Sequence, residues 1–354
     1  MTDVIRPAQS RVVRQEWTDR AVAPMVDARV QAQDERPADV PETAYQESVR
    51  ALYVYRMRRG SEVYDGVVAD VRLDAFANGR VRGHESVQPQ RVELLVHYYM
   101  DLPSRSEPVA LLHAHDPAAT ELVAMTCRGR PLVQFEGRDG LEHLVWQVPG
   151  PNATAELAAA LGEEVLYIAD GHHRVAARLM AWERAGRPSD AGVLCVLYPM
   201  DGLRLGAFHR RVVGPVDAKA LLACAVAADF VVRAVAAADE ADGIALYVGG
   251  SWYDLAPAVA RPDGSAGLDV SVLHTRILGP ALGIVGAVHP RLEVVPAHLP
   301  LEQAVSQCAE DDGALFCLRP PPLQKLTEIA DLGEVMPPKT TYFSPKPYAG
   351  IFLT

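Results

Sequence analysis

The chain has no apolar run long enough to cross a membrane as a helix. Its first residues, MTDVIRPAQSRVVRQEW, also lack the apolar core of a secretion signal. These absences predict a soluble, cytoplasmic protein with no membrane partner. A basic excess is missing too: 45 acidic against 34 basic residues give a net charge of −11. That balance argues against a general nucleic-acid binder, which needs a basic stripe to face phosphates. The five cysteines (127, 195, 224, 308 and 317) are odd in number and lack close spacing. They suggest neither a disulfide framework nor a zinc site and are best read as small buried hydrophobes. No Ser/Gly linker, low-complexity tract or internal repeat divides the chain.

What remains is a chain of 354 residues, 49% hydrophobic, enough for one large core or two modest ones. Residues 1–50 are polar and proline-studded. ALYVYRMRRG (51–60) and GVVADVRLDAF (66–76) predict two strands around a charged turn. A helix is expected after Pro89, with Val92, Leu95, Val96 and Tyr99 on one stripe. Strands are expected at 108–115, 141–148 and 164–169, with a helix over 153–161. Two strands joined at Asp201-Gly202 should follow, then a mostly helical alanine-rich stretch at 217–240 and a hairpin turning at Gly249-Gly250. Helical segments near 270–280 and 300–307, a strand at 314–318 and a terminal strand complete the pattern. Alternating helices and strands predict an α/β fold, a mixed sheet with flanking helices and an appended subdomain.

One stretch carries chemistry. In EEVLYIADGHHRVAARLMAWERAGRP (163–188) an apolar strand ends at Asp170, Gly171 follows, and His172, His173 and Arg174 open a helix. A helix start offers unpaired N–H groups and a positive dipole end, and glycine lets a ligand approach the backbone. Arg174 and Arg178 share one helical face, and Arg174 stands against the dipole. A bound phosphate would relieve that repulsion. The plainer reading stands beside this one: Asp170 as an N-cap and the histidines as turn residues. Adjacent histidines point apart on a helix, so the pair makes a poor metal clamp.

YIADGHHRVAARL resembles the hallmark of the family catalogued as domain of unknown function 1015. LYVYRM (52–57), RGHESV (82–87), GAFHRRV (206–212) and GEVMPPKTTYFSPKPYAGIFL (333–353) fall in the family's order. The likeness treats 1–354 as one family-wide unit. It comprises a divergent segment 1–50, a core 51–215, an appended region 216–330 and a closing segment 331–354. The family's usual opening, A-P-P-Y-D-V, survives in VAPMVDARV (22–30) as Ala23, Pro24 and Asp27, with Val26 in the tyrosine's place. The family is in turn distantly similar to the ParB/sulfiredoxin-like superfamily, whose members set such helix starts against nucleotide phosphates. Kinases of free L-serine in that superfamily carry a D-G-H-H-R-like motif.

The resemblance implies an ATP- or ADP-dependent, magnesium-assisted kinase of a small hydroxylated metabolite, an amino-acid-like substrate such as free L-serine. Gly171, His172, His173 and Arg174, with Arg178, would cradle phosphate, and Asp170 would ligate Mg²⁺ or orient a histidine. His172 could also carry a proton. Glu85, with His84 beside it, is the candidate general base, and its plainer role is to stabilise the following helix. His209 and Arg210 could add a second cationic contact. Lys339, Thr340, Thr341 and Tyr342 concentrate donors in a proline-bounded loop that could close over a bound phosphate. His113 and His115 alternate on a strand, without an evident third metal ligand. The competing functions are a non-catalytic nucleotide-binding regulator and an inactive scaffold, and self-association is left open.

Overall fold

A computed structural model describes residues 4–25, 40–47, 49–101, 106–286 and 288–354. Val26 and Asp27, which mark the departure from the family's opening segment, lie outside the described residues. Two compact units emerge. The first comprises the residues before His84, Val87–Arg204 and Pro345–Thr354; the second comprises His84–Ser86 and Leu205–Ser344. Each is α/β, as the alternation of elements predicts. No helix among the described residues is long and apolar enough to cross a membrane.

A nine-stranded mixed sheet organises the first unit. Its order is Val81–Arg82, Leu166–Asp170, Val109–His113, Gly192–Pro199, Glu62–Arg72, Tyr53–Arg59, Glu142–Gln147 and Val133–Glu136, with Ile5–Arg6 pairing to Glu62–Arg72. Leu166–Asp170 runs parallel to Val81–Arg82, and Gly192–Pro199 runs parallel to Val109–His113. The central strands are near-continuous apolar runs because both faces are covered, and Val109–His113 is buried along its whole length. Helices Pro117–Thr126, Gly150–Gly162 and His172–Arg184 supply much of that cover, packing Leu157, Leu161 and Val175 with sheet residues such as Leu111, Trp146 and Leu197. Helix Pro89–Asp101 starts at its proline and packs Val92, Leu95 and Val96 on Ala177 of helix His172–Arg184.

The C-terminal segment is tied back to this sheet. The Tyr348 N–H donates to the Tyr55 hydroxyl at 3.2 Å, and that hydroxyl meets His143 Nδ1 at 2.6 Å. Phe352 packs on Tyr53, and Phe352–Leu353 pairs with strand Ala8–Val12. Burial keeps the Tyr55 phenol well above its ordinary pKa, so it stays a neutral hydrogen-bonding hub.

The second unit holds a seven-stranded sheet. Its order is Phe230–Val235, Ser251–Pro257, Ile244–Val248, Ala314–Cys317, Arg204–Val212 and Leu292–Pro296, with Thr341–Ser344 beside Arg204–Val212. Gly249 (φ 58°) and Gly250 (φ 77°) make the expected hairpin turn, since both central residues need positive φ.

Three expectations change. Asp201-Gly202 does turn the chain, but the strands on either side join different sheets instead of pairing as a hairpin. The alanine-rich stretch is helical only over Ala218–Ala227. Asp229 then adopts a left-handed φ of 63°, and Val231 and Val232 continue as strand, as β-branched residues favour. Helix Leu323–Asp331 lies in a region assigned no element from sequence. Of the cysteines, Cys195, Cys308 and Cys317 are buried, and Cys127 and Cys224 are half-buried.

Leu111, wholly buried in the central strand, tests this core. Leu111→Ala should lower the unfolding free energy by about 2–5 kcal/mol in urea titrations followed by tryptophan fluorescence. A smaller loss would mean that the central strand is less tightly packed than described.

Candidate functional site

The signature stretch lies wholly in the first unit. Leu166–Asp170 is an interior strand, and the chain turns into helix His172–Arg184 through Gly171 at φ 109°. Only glycine suits that position. A Cβ would face left-handed strain and stand 3.1 Å from Arg174 Nη2 and 3.2 Å from Val109 Cγ2. Among the described residues no side chain caps the helix start, and its first turn carries no acidic residue.

Charge is arranged around Asp170 instead. One carboxylate oxygen pairs with Arg174 Nη2 and the other with Lys346 Nζ, while Arg174 Nη1 donates to the Pro108 carbonyl. Arg174, placed against the helix dipole by the sequence, is thus held by a carboxylate on the preceding strand. Magnesium ligation by Asp170 does not fit this arrangement. Both oxygens already meet cations, which would repel a divalent ion. Among the described residues no group of three His, Cys, Asp or Glu side chains could hold a metal.

The remaining residues of the motif divide their tasks. His172 is 9% exposed, and a Cβ on Gly83 would come within 3.2 Å of its ring, which explains the glycine there. His173 Nε2 accepts the Gln88 N–H at 3.0 Å just ahead of helix Pro89–Asp101. In the neutral ring the proton therefore sits on Nδ1, and the histidine serves as a brace as well as a donor. Arg178 is buried, with its charge acting on Asp70, whose carboxyl burial pushes up in spite of the Arg6 ion pair. His113 is buried and meets the Ala114 carbonyl at 2.6 Å, whereas His115 lies beyond the strand end and is exposed, so the two do not share a face.

The second unit gathers the other candidates. His84–Ser86 pairs with Met336: the Met336 N–H donates to the His84 carbonyl at 2.7 Å, and the Ser86 N–H donates to the Met336 carbonyl at 3.2 Å. His84, fully buried, meets Thr341 Oγ1 at 3.0 Å. Glu85 Oε1 accepts the Lys339 N–H at 3.2 Å, and Lys339 takes a left-handed φ of 60° to present it. Thr340 Oγ1 donates to the Pro337 carbonyl at 2.6 Å. The Lys339 ammonium lies 5.1 Å from the Phe208 ring centroid, a cation–π contact.

Arg210 organises this group from inside. It is 1% exposed and donates to the carbonyls of Phe208, His209, Pro338 and Lys339 at 3.0–3.3 Å. Burial lowers its pKa to about 10, opposed by the charge of Glu85. Arg210 thus organises the loop from within through these carbonyls. His209 separates from it because adjacent strand residues point to opposite faces. Its Nδ1 accepts the Leu318 N–H at 3.2 Å, and burial followed by Arg210's charge lowers its pKa to about 4. His209 is neutral at physiological pH and adds no positive charge.

Sequence reasoning missed two residues. His274, in the π-helical turn His274–Leu278, is lowered to about 4 by burial and Arg210. Lys346 could have been found from residue usage: of the 34 basic residues only four are lysines, and two of those, Lys339 and Lys346, fall in the closing segment.

The sequence profile of the family described as "Protein of unknown function (DUF1015)" matches residues 42–271. No curated protein matches the chain. Among solved structures, a mutant free serine kinase in complex with ADP is 17% identical with a TM-score of 0.42, the alignment covering 79% of this chain and 87% of that one. SbnI from Staphylococcus aureus, truncated at its C-terminus, is 11% identical with a TM-score of 0.42, covering 78% and 82%. A conserved hypothetical protein from Pyrococcus furiosus is 16% identical with a TM-score of 0.37, covering 79% and 90%.

The two histidines set a pH dependence. Unfolded, each takes up its proton near the ordinary 6.5; folded, only near 4. Their neutral forms thus stabilise the fold fully above pH 6.5, and that stability is lost as pH falls toward 4. Between pH 7 and 5 His209 alone should account for about 2 kcal/mol of lost unfolding free energy. Urea midpoints across that range should fall less steeply for His209→Gln, whose amide oxygen can still accept the Leu318 N–H. An unchanged slope would refute the buried neutral histidine.

Proposed function

The chain belongs to the DUF1015 family of proteins of unknown function, and we propose that it is a nucleotide-dependent phosphotransferase acting on a small hydroxylated metabolite. The observation that carries this reading is the uncapped helix start behind Gly171, beside which Asp170 holds Arg174 and Lys346. Phosphate oxygens can accept hydrogen bonds from first-turn N–H groups and draw on the dipole. Lysine adds a mobile point charge and arginine a fixed one. Arg174 and Lys346 thus place two cations at this carboxylate, beside the helix start.

Phosphoryl transfer needs little covalent help from a protein; it needs positioning, charge neutralisation and a proton acceptor. In the proposed reaction the acceptor hydroxyl attacks the terminal phosphorus of ATP or ADP. The new P–O bond forms as the bond to the departing ADP or AMP breaks. Glu85, a carboxylate fixed by the Lys339 N–H, is assigned to take the hydroxyl proton. Free L-serine is the first acceptor to test, because DGHHR resembles the motif of kinases that phosphorylate it. Any divalent cation would arrive on the nucleotide's phosphates and neutralise charge there.

The test is incubation with ATP or ADP, Mg²⁺ and serine, threonine or homoserine, with mass spectrometry for the phosphoamino acid. Product is expected, and Glu85→Gln should reduce its rate by about 10²–10⁴-fold while nucleotide affinity is retained. Lys346→Ala should instead weaken nucleotide binding by about tenfold or more, as loss of a charge-assisted contact does. Nucleotide binding without product from any acceptor would leave a nucleotide-binding regulator and overturn the kinase reading.

A further inference from the structure

The second unit contains a cavity of about 450 Å³ that the phosphotransfer reading does not use. Its walls come from the loop Arg261–Gly267, the chain Leu318–Pro322 and the first turn of helix Leu323–Asp331. The volume lies within the range of small-molecule sites. Leu268, Leu318, Pro257 and Pro321 give it apolar sides. Two of its glycines leave no room for a side chain: a Cβ on Gly243 would fall 2.1 Å from the Leu255 carbonyl oxygen, and one on Gly267 2.0 Å from that of Pro262.

The charges in these walls do not balance. Arg261, Arg319 and Lys325 line the cavity with Asp242 and Asp269. Asp269 is consumed locally, pairing with Arg261 through one oxygen and accepting the Arg319 N–H through the other at 3.1 Å. Arg261 Nε is buried without a hydrogen-bond partner. The Asp242 side chain is 88% exposed and paired at 3.4 Å with Arg233. Arg319 spends its guanidinium on a neutral carbonyl, that of Ala241. Among the described residues Lys325 has only a 3.5 Å surface pair with Glu328 on its own helix, an interaction worth about a few tenths of a kcal/mol. Among the described residues, Arg319 therefore edges an apolar hollow without a carboxylate partner for its guanidinium, and Lys325 edges it with only a weak, half-exposed one.

We infer that this cavity is a binding site for a small organic anion, a carboxylate carried on an apolar or aromatic body. The carboxylate meets Lys325 and Arg319, and the body lies against the proline and leucine walls. Thr340 also lines the cavity, directly after Lys339, whose N–H holds Glu85. An occupant thus touches the segment that fixes that carboxylate.

Benzoate and its uncharged counterpart benzyl alcohol are suitable probes, titrated calorimetrically into the full-length chain. Benzoate should bind in the millimolar range or tighter and benzyl alcohol at least about tenfold more weakly. Lys325→Glu should weaken benzoate by about tenfold or more, whereas Lys219→Glu, the same charge change at an exposed lysine outside the cavity, should leave it unchanged. Arg319→Ala keeps the backbone bond to Asp269 and provides a second variant should Lys325→Glu fail to fold. No benzoate binding at about 10 mM, equal binding of the alcohol, or equal losses in Lys325→Glu and Lys219→Glu would each overturn the assignment.

Discussion

Asp170 is a carboxylate at the end of a buried strand, one residue before a left-handed glycine, and it pairs with two cations, one close by in the sequence and one far along it. Arg174 comes from the first turn of the following helix and Lys346 from the closing segment. Without Asp170, the arginine would stand against the positive end of the helix dipole with no counter-charge. With it, the helix can start uncapped and cationic. The same pairing draws the chain's last residues to the sheet, where Tyr348, Phe352 and their partners Tyr55 and Tyr53 complete the attachment. One acidic side chain thus links local helix electrostatics to the path of the terminus.

The second unit solves a similar problem with the opposite charge. Arg210, among the largest fully buried side chains, turns its guanidinium to four backbone carbonyls. A buried guanidinium is tolerated where oxygen dipoles surround it. By binding the carbonyls of Pro338 and Lys339 it fixes the loop whose N–H holds Glu85. Lysine, with a single point charge, could not reproduce that fork.

Much of this was legible in the sequence where the signal is local. The apolar strand, Gly171 and the helix start follow from residue order alone, as does the Gly249-Gly250 hairpin. Glu85 and the Lys339–Thr341 loop stood out as motifs, yet their union through Met336 depends on a pairing some 250 residues apart. Chemistry that depends on burial was less legible. Residue order does not reveal that Arg178 and Arg210 are buried, and the structure buries both. His209 and Arg210 look like a cationic pair, but strand alternation separates them and burial neutralises the histidine. The alanine-rich stretch misled because helix propensity is averaged over a window, whereas one left-handed residue, Asp229, decides where the helix stops.

In the proposed phosphotransfer the helix start at 172–174 receives nucleotide phosphate, with Lys346 turning from Asp170 toward it. A structure of the full chain soaked with ADP tests it most directly. Phosphate oxygens are expected at roughly 2.7–3.2 Å from at least two of the amide nitrogens of His172, His173 and Arg174, with Lys346 Nζ in contact. ADP ordered elsewhere, with those amides untouched and Lys346 still on Asp170, would contradict it.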